Sequence, residues 1–177
     1  MTSAMFLLLV LVLLNGQAFA QTATGQFKKY TEQYGRFSIQ VPKEWTIGSP
    51  NIKQDSVAIS FDPNNGDDIS FIVSAGDRHS IISEDDYEQV IREENTATIA
   101  DTPGATLIQG TDCTKYVIDG NKACSMIYTV TSHQYTNKEL DISFHSAKQE
   151  VLVSLSGSTF DKYLPVAQQM VNSMKVS

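Results

Sequence analysis

Apolar and polar residues alternate in short runs along most of the chain. Phe37, Ile39 and Val41 alternate with Ser38 and Gln40, the period-2 pattern of a strand with one buried face. Pro42 has no N–H to give a ladder and stops the run. Trp45, the only tryptophan, follows as the largest single apolar anchor available. Ser56 to Phe61 alternates again, with Val57, Ile59 and Phe61 on one side, and Ile69 to Ser74 is the next strand. Between them lies Asp62-Pro-Asn-Asn-Gly-Asp-Asp68, dense in turn residues, so the two runs predict a hairpin. Thr106 to Ile118, interrupted near Gly110, and Ala123 to Thr131 flank Asp119-Gly120, a strong two-residue hairpin signal. Leu140 to Phe144 alternates. Val151 to Leu155 is apolar on both sides and reads as a central strand. The spacing predicts an antiparallel meander.

Two segments change period. Ser83-Glu-Asp-Asp86 opens a helix: Ser83 can cap the free amides, Asp86 stands three residues on, and three acids in the first turn suit the positive end of the helix dipole. Its apolar stripe is narrow, Tyr87, Val90, Ile91 and Ala97, so the helix should lie on a surface with its acidic side in water. Glu88 and Arg92 form an i,i+4 pair. At the other end, Phe160, Tyr163, Leu164, Ala167, Met170, Val171 and Met174 recur at three- and four-residue steps. Pro165 clashes with a preceding helical turn, so an irregular first turn and a regular helix from about Leu164 to Met174 are expected. One-faced strands and amphipathic helices must bury those faces on each other. The expected fold class is α+β: one antiparallel β-sheet with helices packed on both faces, an α/β/α sandwich.

The first residues do not fit that domain. Phe6 to Leu14 is an unbroken apolar run, too short for a bilayer, which takes about 20 residues. Ala18-Phe19-Ala20 has the small-x-small form of a cleavage site before Gln21. Residues 1–20 read as a secretory signal peptide, although Met1 to Met5 carries no basic side chain, and an uncleaved anchor is the rival reading. Gln21 to Lys29 reads as a short exposed leader, and 30–177 as one domain, large enough to bury a core without staples. The net charge of −7 is unevenly spread: eleven acids and two bases fall between Asp62 and Asp101. Phosphate binding needs a basic footprint, so a nucleic-acid partner is disfavoured; a basic partner or a cation is allowed.

The residues resemble a known family. Tyr34-Gly-Arg-Phe-Ser-Ile-Gln-Val-Pro-Lys-Glu-Trp45 resembles the Gly-Phe-Ser-Ile-x-x-Pro-x-x-Trp opening of PsbP-like domains. Ile118-Asp-Gly-Asn-Lys-Ala123 with Tyr128 resembles their central hairpin, and Phe160 to Met174 their closing helix. The resemblance implies a sandwich with helices on both sides of an antiparallel sheet. PsbP is an extrinsic, extracytoplasmic subunit of the oxygen-evolving photosystem that helps retain calcium and chloride, and it binds and shields without catalytic machinery. The resemblance therefore implies a secreted, non-enzymatic accessory protein with a protein partner, such as a membrane-associated complex, and calcium only by family.

Candidate chemistry is sparse. Cys113 and Cys124 flank the Asp119-Gly120 turn, and export makes a disulfide plausible. With a two-residue loop, Cys113 faces Met126 and the two cysteines sit diagonally, about 7–8 Å apart, where a disulfide wants Cβ atoms near 3.8 Å. A bulge would close the gap; two buried thiols are the alternative. Asp62, Asp67 and Asp68 crowd oxygen ligands into one loop, but an EF-hand needs Gly at its sixth position and Glu at its twelfth, where Asp67 and Val73 stand. A solvated hairpin loop accounts for the same residues. His79, His133 and His145 have no ligand spacing and read as surface histidines. Neither a Gly-x-Ser-x-Gly elbow nor a phosphate loop occurs. The acidic window, with Glu84, Asp85, Asp86 and Glu88 at its centre, is either a solvated face or a docking face for a basic partner; the alternative function is a calcium- or small-ligand-binding module acting through the acidic surface around residues 62–101.

Overall fold

A computed structural model describes residues 26–78 and 83–177. The segment read as a signal peptide, and His79, lie outside them. In chain order the elements are β1 (Phe27–Thr31), β2 (Phe37–Pro42), β3 (Thr46–Ile47), β4 (Asn51–Ile52), β5 (Ser56–Asp62), β6 (Ile69–Asp77), α1 (Glu84–Asp101), β7 (Ala105–Ile118), β8 (Asn121–Thr131), β9 (Thr136–His145), β10 (Gln149–Gly157), α2 (Phe160–Asn172) and β11 (Lys175–Val176). The chain is an α+β fold, mostly antiparallel sheet with two helices among the described residues.

The strands form two sheets rather than one. The larger follows the order β3-β5-β6-β10-β9-β8-β7, with β4 also paired to β5; the smaller is β1-β2-β11. The predicted opening strand, β2, therefore leaves the main meander. Its two edges are taken by β1 and by the last residues of the chain, Lys175 and Val176. The supposed leader is part of this: Phe27, Lys28 and Lys29 lie in β1, and the Lys28 ammonium donates to the carbonyls of Lys43 and Trp45, 3.0 Å each. Period-2 patterning finds strands but not their partners, because pairing is set by tertiary context.

The core lies on one face of the large sheet. Register aligns Val57, Ala75, Val151 and Phe144 in one row, and Ile59, Val73, Val153 and Ile142 in the next. All are buried. α2 closes this face with Phe160, Tyr163, Ala167, Met170 and Val171, and β2 adds Phe37, Ile39 and Val41. Trp45 is buried there, its ring edge-on to Tyr163 at 5.8 Å between centroids. Contrary to expectation, α2 starts at Phe160 and contains Pro165. Burial of Phe160 and Tyr163 holds the first turn in place despite the amide that Pro165 lacks.

Two turns show their residue requirements. Asp119 and Gly120 both have positive φ, 51° and 83°, as a type I′ hairpin demands. Gly157 ends β10 with φ 151°, where a Cβ would lie 2.2 Å from the Asp68 carbonyl oxygen. Close approach of two backbones needs glycine there.

Candidate functional site

The opposite set of sheet positions carries the features that the core does not explain. On β8, Cys124, Met126 and Tyr128 alternate with core-side Ala123, Ser125 and Ile127. α1 meets the sheet at these alternate positions: Tyr87 and Ile91 form a separate buried cluster with Cys113 and Cys124. The N-terminus of α1 is capped as its sequence predicts, with the Asp86 amide donating to Ser83 Oγ at 3.1 Å. Further along, Arg92 donates to the Thr111 carbonyl at 2.7 Å and Asn95 to Thr111 Oγ1 at 2.8 Å. Glu88 pairs with Lys122 across to β8, and with Arg92 at 3.9 Å.

Cys113 and Cys124 form a disulfide, with an S–S distance of 2.05 Å and Cα atoms 3.9 Å apart. The bulge that simple register omits brings them together. Tyr116 pairs with Ala123, but Asp112 pairs with Ser125, so β7 spends four residues where β8 spends two. Asp112 shapes the bulge by accepting from the Thr114 amide at 2.8 Å and the Thr114 hydroxyl at 2.7 Å. Those donors hold its carboxyl below the usual range.

Next to the disulfide, the Tyr87 ring stands edge-on to His145, centroids 4.0 Å apart. His145 is thus half-buried under α1 rather than a surface histidine. A cavity of about 210 Å³ here is lined by Arg78, Lys122, His145, Glu88 and Ser146 among others. On the other side of Tyr87 a groove of about 680 Å³ runs between α1 and the sheet. Its α1 wall is Tyr87, Val90, Ile91 and Glu94, and its floor includes Ala58, Ser74, Gly76, Ser143 and Leu152. Glu150 and Lys53 stand at its edges. Burial raises the Tyr87 phenol well above its usual pKa, and the nearby carboxylates of Glu150 and Glu94 push it the same way.

Farther along this face, Tyr128 Oη donates toward Glu139 Oε2 at 2.8 Å and Asp141 Oδ2 at 3.2 Å, while Ser154 Oγ donates to Asp141 Oδ1 at 2.5 Å. Two carboxylates share one phenolic proton. Burial raises the Asp141 carboxyl, with the two hydroxyls acting in the opposite sense.

The acidic residues singled out by sequence fall in two places. Asp67 and Asp68 lie against α2, away from α1. Asp67 Oδ2 accepts from Lys162 Nζ and Tyr163 Oη, 2.5 Å each, and from Asn65 at 3.0 Å, which holds its carboxyl below the usual range. Asp68 Oδ2 accepts from the Ser158 amide at 3.3 Å. Asp62 ends β5 opposite Thr46. This loop is a clasp between a hairpin and a helix, with its best oxygen ligand already taken by a lysine. Among the described residues no three His, Cys, Asp or Glu side chains converge as metal ligands would. Glu84 and Asp85 open α1 on its backbone, but their side chains are not described; Asp86 Oδ2 accepts from the hydroxyl of the cap residue Ser83 at 2.6 Å, and Glu88 is an ion-pair partner. Of the groove residues, Glu94 is one of the eleven acids of the window, whereas Glu150 and Leu152 were not singled out by sequence. One signal pointed there: Leu152 makes β10 apolar on both sides.

No protein-family model and no curated protein matches the sequence. Solved structures do match the fold. The solution structure of cyanobacterial PsbP (CyanoP) from Synechocystis sp. PCC 6803 superposes with a TM-score of 0.60 at 13% identity, over 89% of this chain and 96% of that one. LpqN, involved in cell envelope biogenesis of Mycobacterium tuberculosis, gives 0.58 at 10% identity, over 86% of this chain and 91% of that one. A Bacteroides thetaiotaomicron VPI-5482 protein gives 0.56 at 14% identity, over 86% of this chain and 49% of its own. The chain has a PsbP-like fold.

Proposed function

We propose that the protein is an exported, non-catalytic accessory protein that binds a protein partner, as an extrinsic component of a membrane-associated complex. The observation that carries this reading is coverage: the fold spans 96% of CyanoP and 91% of LpqN, so the PsbP-like domain is nearly the whole of each. One is a cyanobacterial PsbP and the other is involved in cell envelope biogenesis. The apolar run from Phe6 to Leu14 and the Ala18-Phe19-Ala20 site support export. The helices are assigned to opposite faces of the sheet, α2 to close the core and α1 to present a working surface. Contacts at alternate positions of β8 support that assignment.

Cell fractionation of the full-length protein carrying a C-terminal tag tests the reading. The expected result is a mature N-terminus at Gln21 and recovery with the extracytoplasmic membrane fraction, released by a high-salt wash. A chain that stays in the cytoplasm, or that is recovered wholly free and monomeric, would refute it.

A further inference from the structure

We propose that the open groove between α1 and the sheet docks a short extended segment of a protein partner, one carrying lysine or arginine next to a bulky apolar side chain. This rests on the accessory reading above and names the surface and the partner's chemistry.

Shape comes first. The floor crosses β4, β5, β6, β10 and β9, a span of about 19 Å at the usual strand spacing of about 4.8 Å. Roughly six extended residues cover that distance. The floor is cut low by small side chains, Ala58, Ser74, Gly76 and Ser143. Leu152 rises from its middle, 40% exposed, although β10 is the central strand. Val90 on the α1 wall is 39% exposed, and Ile52 on neighbouring β4 is 44% exposed. Apolar side chains left open at the centre of a sheet mark an interaction surface more than a scattered surface leucine does.

Charge decides the occupant. Glu94 and Glu150 flank this floor against a single lining base, Lys53, and neither glutamate has an ion-pair partner among the described residues. Both lie near enough to the Tyr87 hydroxyl to act on its charge. Glu150 belongs to β10, and Glu94 to α1, a helix with seven acids and one base. Nucleic acid and anionic lipid carry phosphates and are repelled. A second copy of this chain brings the same −7 and the same acidic helix. A partner segment with alternate apolar and basic side chains satisfies both the exposed Leu152 and Val90 and the two carboxylates.

Fluorescence anisotropy with defined peptides tests this on the full chain. The probe is a labelled hexapeptide alternating lysine and leucine. The comparison peptides replace lysine by glutamate, or leucine by serine. The first should bind saturably and the others at least tenfold more weakly. Glu94→Lys with Glu150→Lys should weaken the first at least tenfold, and Leu152→Ser about fivefold. The same charge change away from the groove, Glu44→Lys with Asp101→Lys, should alter it less than twofold. All five positions are exposed, and melting curves check that the variants fold. Unchanged affinity in the groove variants, equal binding of the glutamate peptide, or no saturable binding at millimolar peptide would each overturn the proposal while leaving the fractionation result standing. A failed fractionation with intact, groove-dependent peptide binding would instead remove the accessory reading alone.

Discussion

Breaking the Cys113–Cys124 disulfide should loosen α1 before anything else. The bond closes a loop with a sequence separation of 11. In the chain-entropy account such a loop removes roughly 9–10 cal/mol/K from the unfolded ensemble, or about 3 kcal/mol at 25 °C. A domain of this size loses about 2–4 °C of melting temperature per kcal/mol, so reduction should lower Tm by about 6–12 °C. The effect should not be uniform. The buried side chains of α1, Tyr87 and Ile91, belong to the cluster that contains the two cysteines. α2 instead buries Phe160, Tyr163, Ala167, Met170 and Val171 in the main core. Calorimetry with and without reductant gives the total. Hydrogen exchange read by mass spectrometry should then show residues 87–101 losing protection well before residues 160–172. A Tm change below about 2 °C, or equal loss in the two helices, would refute the reasoning. Cys113→Ala with Cys124→Ala should reproduce the shift and add a smaller cost for the lost sulfur contacts.

Three further outcomes follow from the same contacts. Trp45→Ala should cost about 3–5 kcal/mol, because it empties a buried site against Tyr163; as the only tryptophan, Trp45 should also report unfolding of the parent by a red-shifted emission. Asp119 accepts from Lys175 Nζ at 2.8 Å and the Val176 amide at 2.9 Å, which hold its carboxyl below its ordinary value. Its folded pKa is therefore below the unfolded one, so its contribution is present above about pH 4 and is lost as pH falls through the folded value; Asp119→Asn should flatten that part of the pH–stability curve measured by urea melts. Asp141 has the opposite sign, since burial raises its carboxyl. The folded state holds that proton more tightly, so stability declines as pH rises from about 4 through the raised value and then levels off. Asp141→Asn should therefore be more stable than the parent at pH 7, a gain that vanishes in acid; a constant difference across pH 3 to 7 would refute this.

Much of the fold was legible because its signals are local. Alternation marked β2, β5 and β9, apolar runs marked β6 and β10, and Asp119-Gly120 marked the β7–β8 turn with both residues at positive φ. Ser83 and Asp86 marked the start of α1. What stayed hidden depends on contacts between distant segments. The pairing of β2 with β11 at residues 175–176, rather than with the main sheet, links residues that no local pattern connects, and β1 lay partly in the segment read as a leader. The disulfide needed a bulge created by Asp112 and Thr114, which the turn signal does not contain. Pro165 forbade a regular helix locally, yet the core overruled it. The acidic window looked continuous in sequence, but the chain sends Asp67 to Lys162 and Tyr163 of α2 and keeps Glu88 and Glu94 on α1.

The separation of those acids bears on where recognition belongs. An antiparallel sheet needs only one buried face; the other can be left to water if its side chains are polar and bulky enough to cover it. Here the second face is not finished in that way. α1 sits over Cys113 and Cys124 near β7 and β8, and the strands beyond it present Ala58, Ser74, Gly76 and Ser143 around a half-exposed Leu152. A surface meant only for water gains nothing from a leucine ringed by small residues, whereas a lysine or glutamate at position 152 would solvate it. Solubility is already secured by a charge of −7. The carboxylates of Glu94 and Glu150 beside that leucine, without an ion-pair partner among the described residues, are therefore better explained by what they can attract than by what they keep in solution.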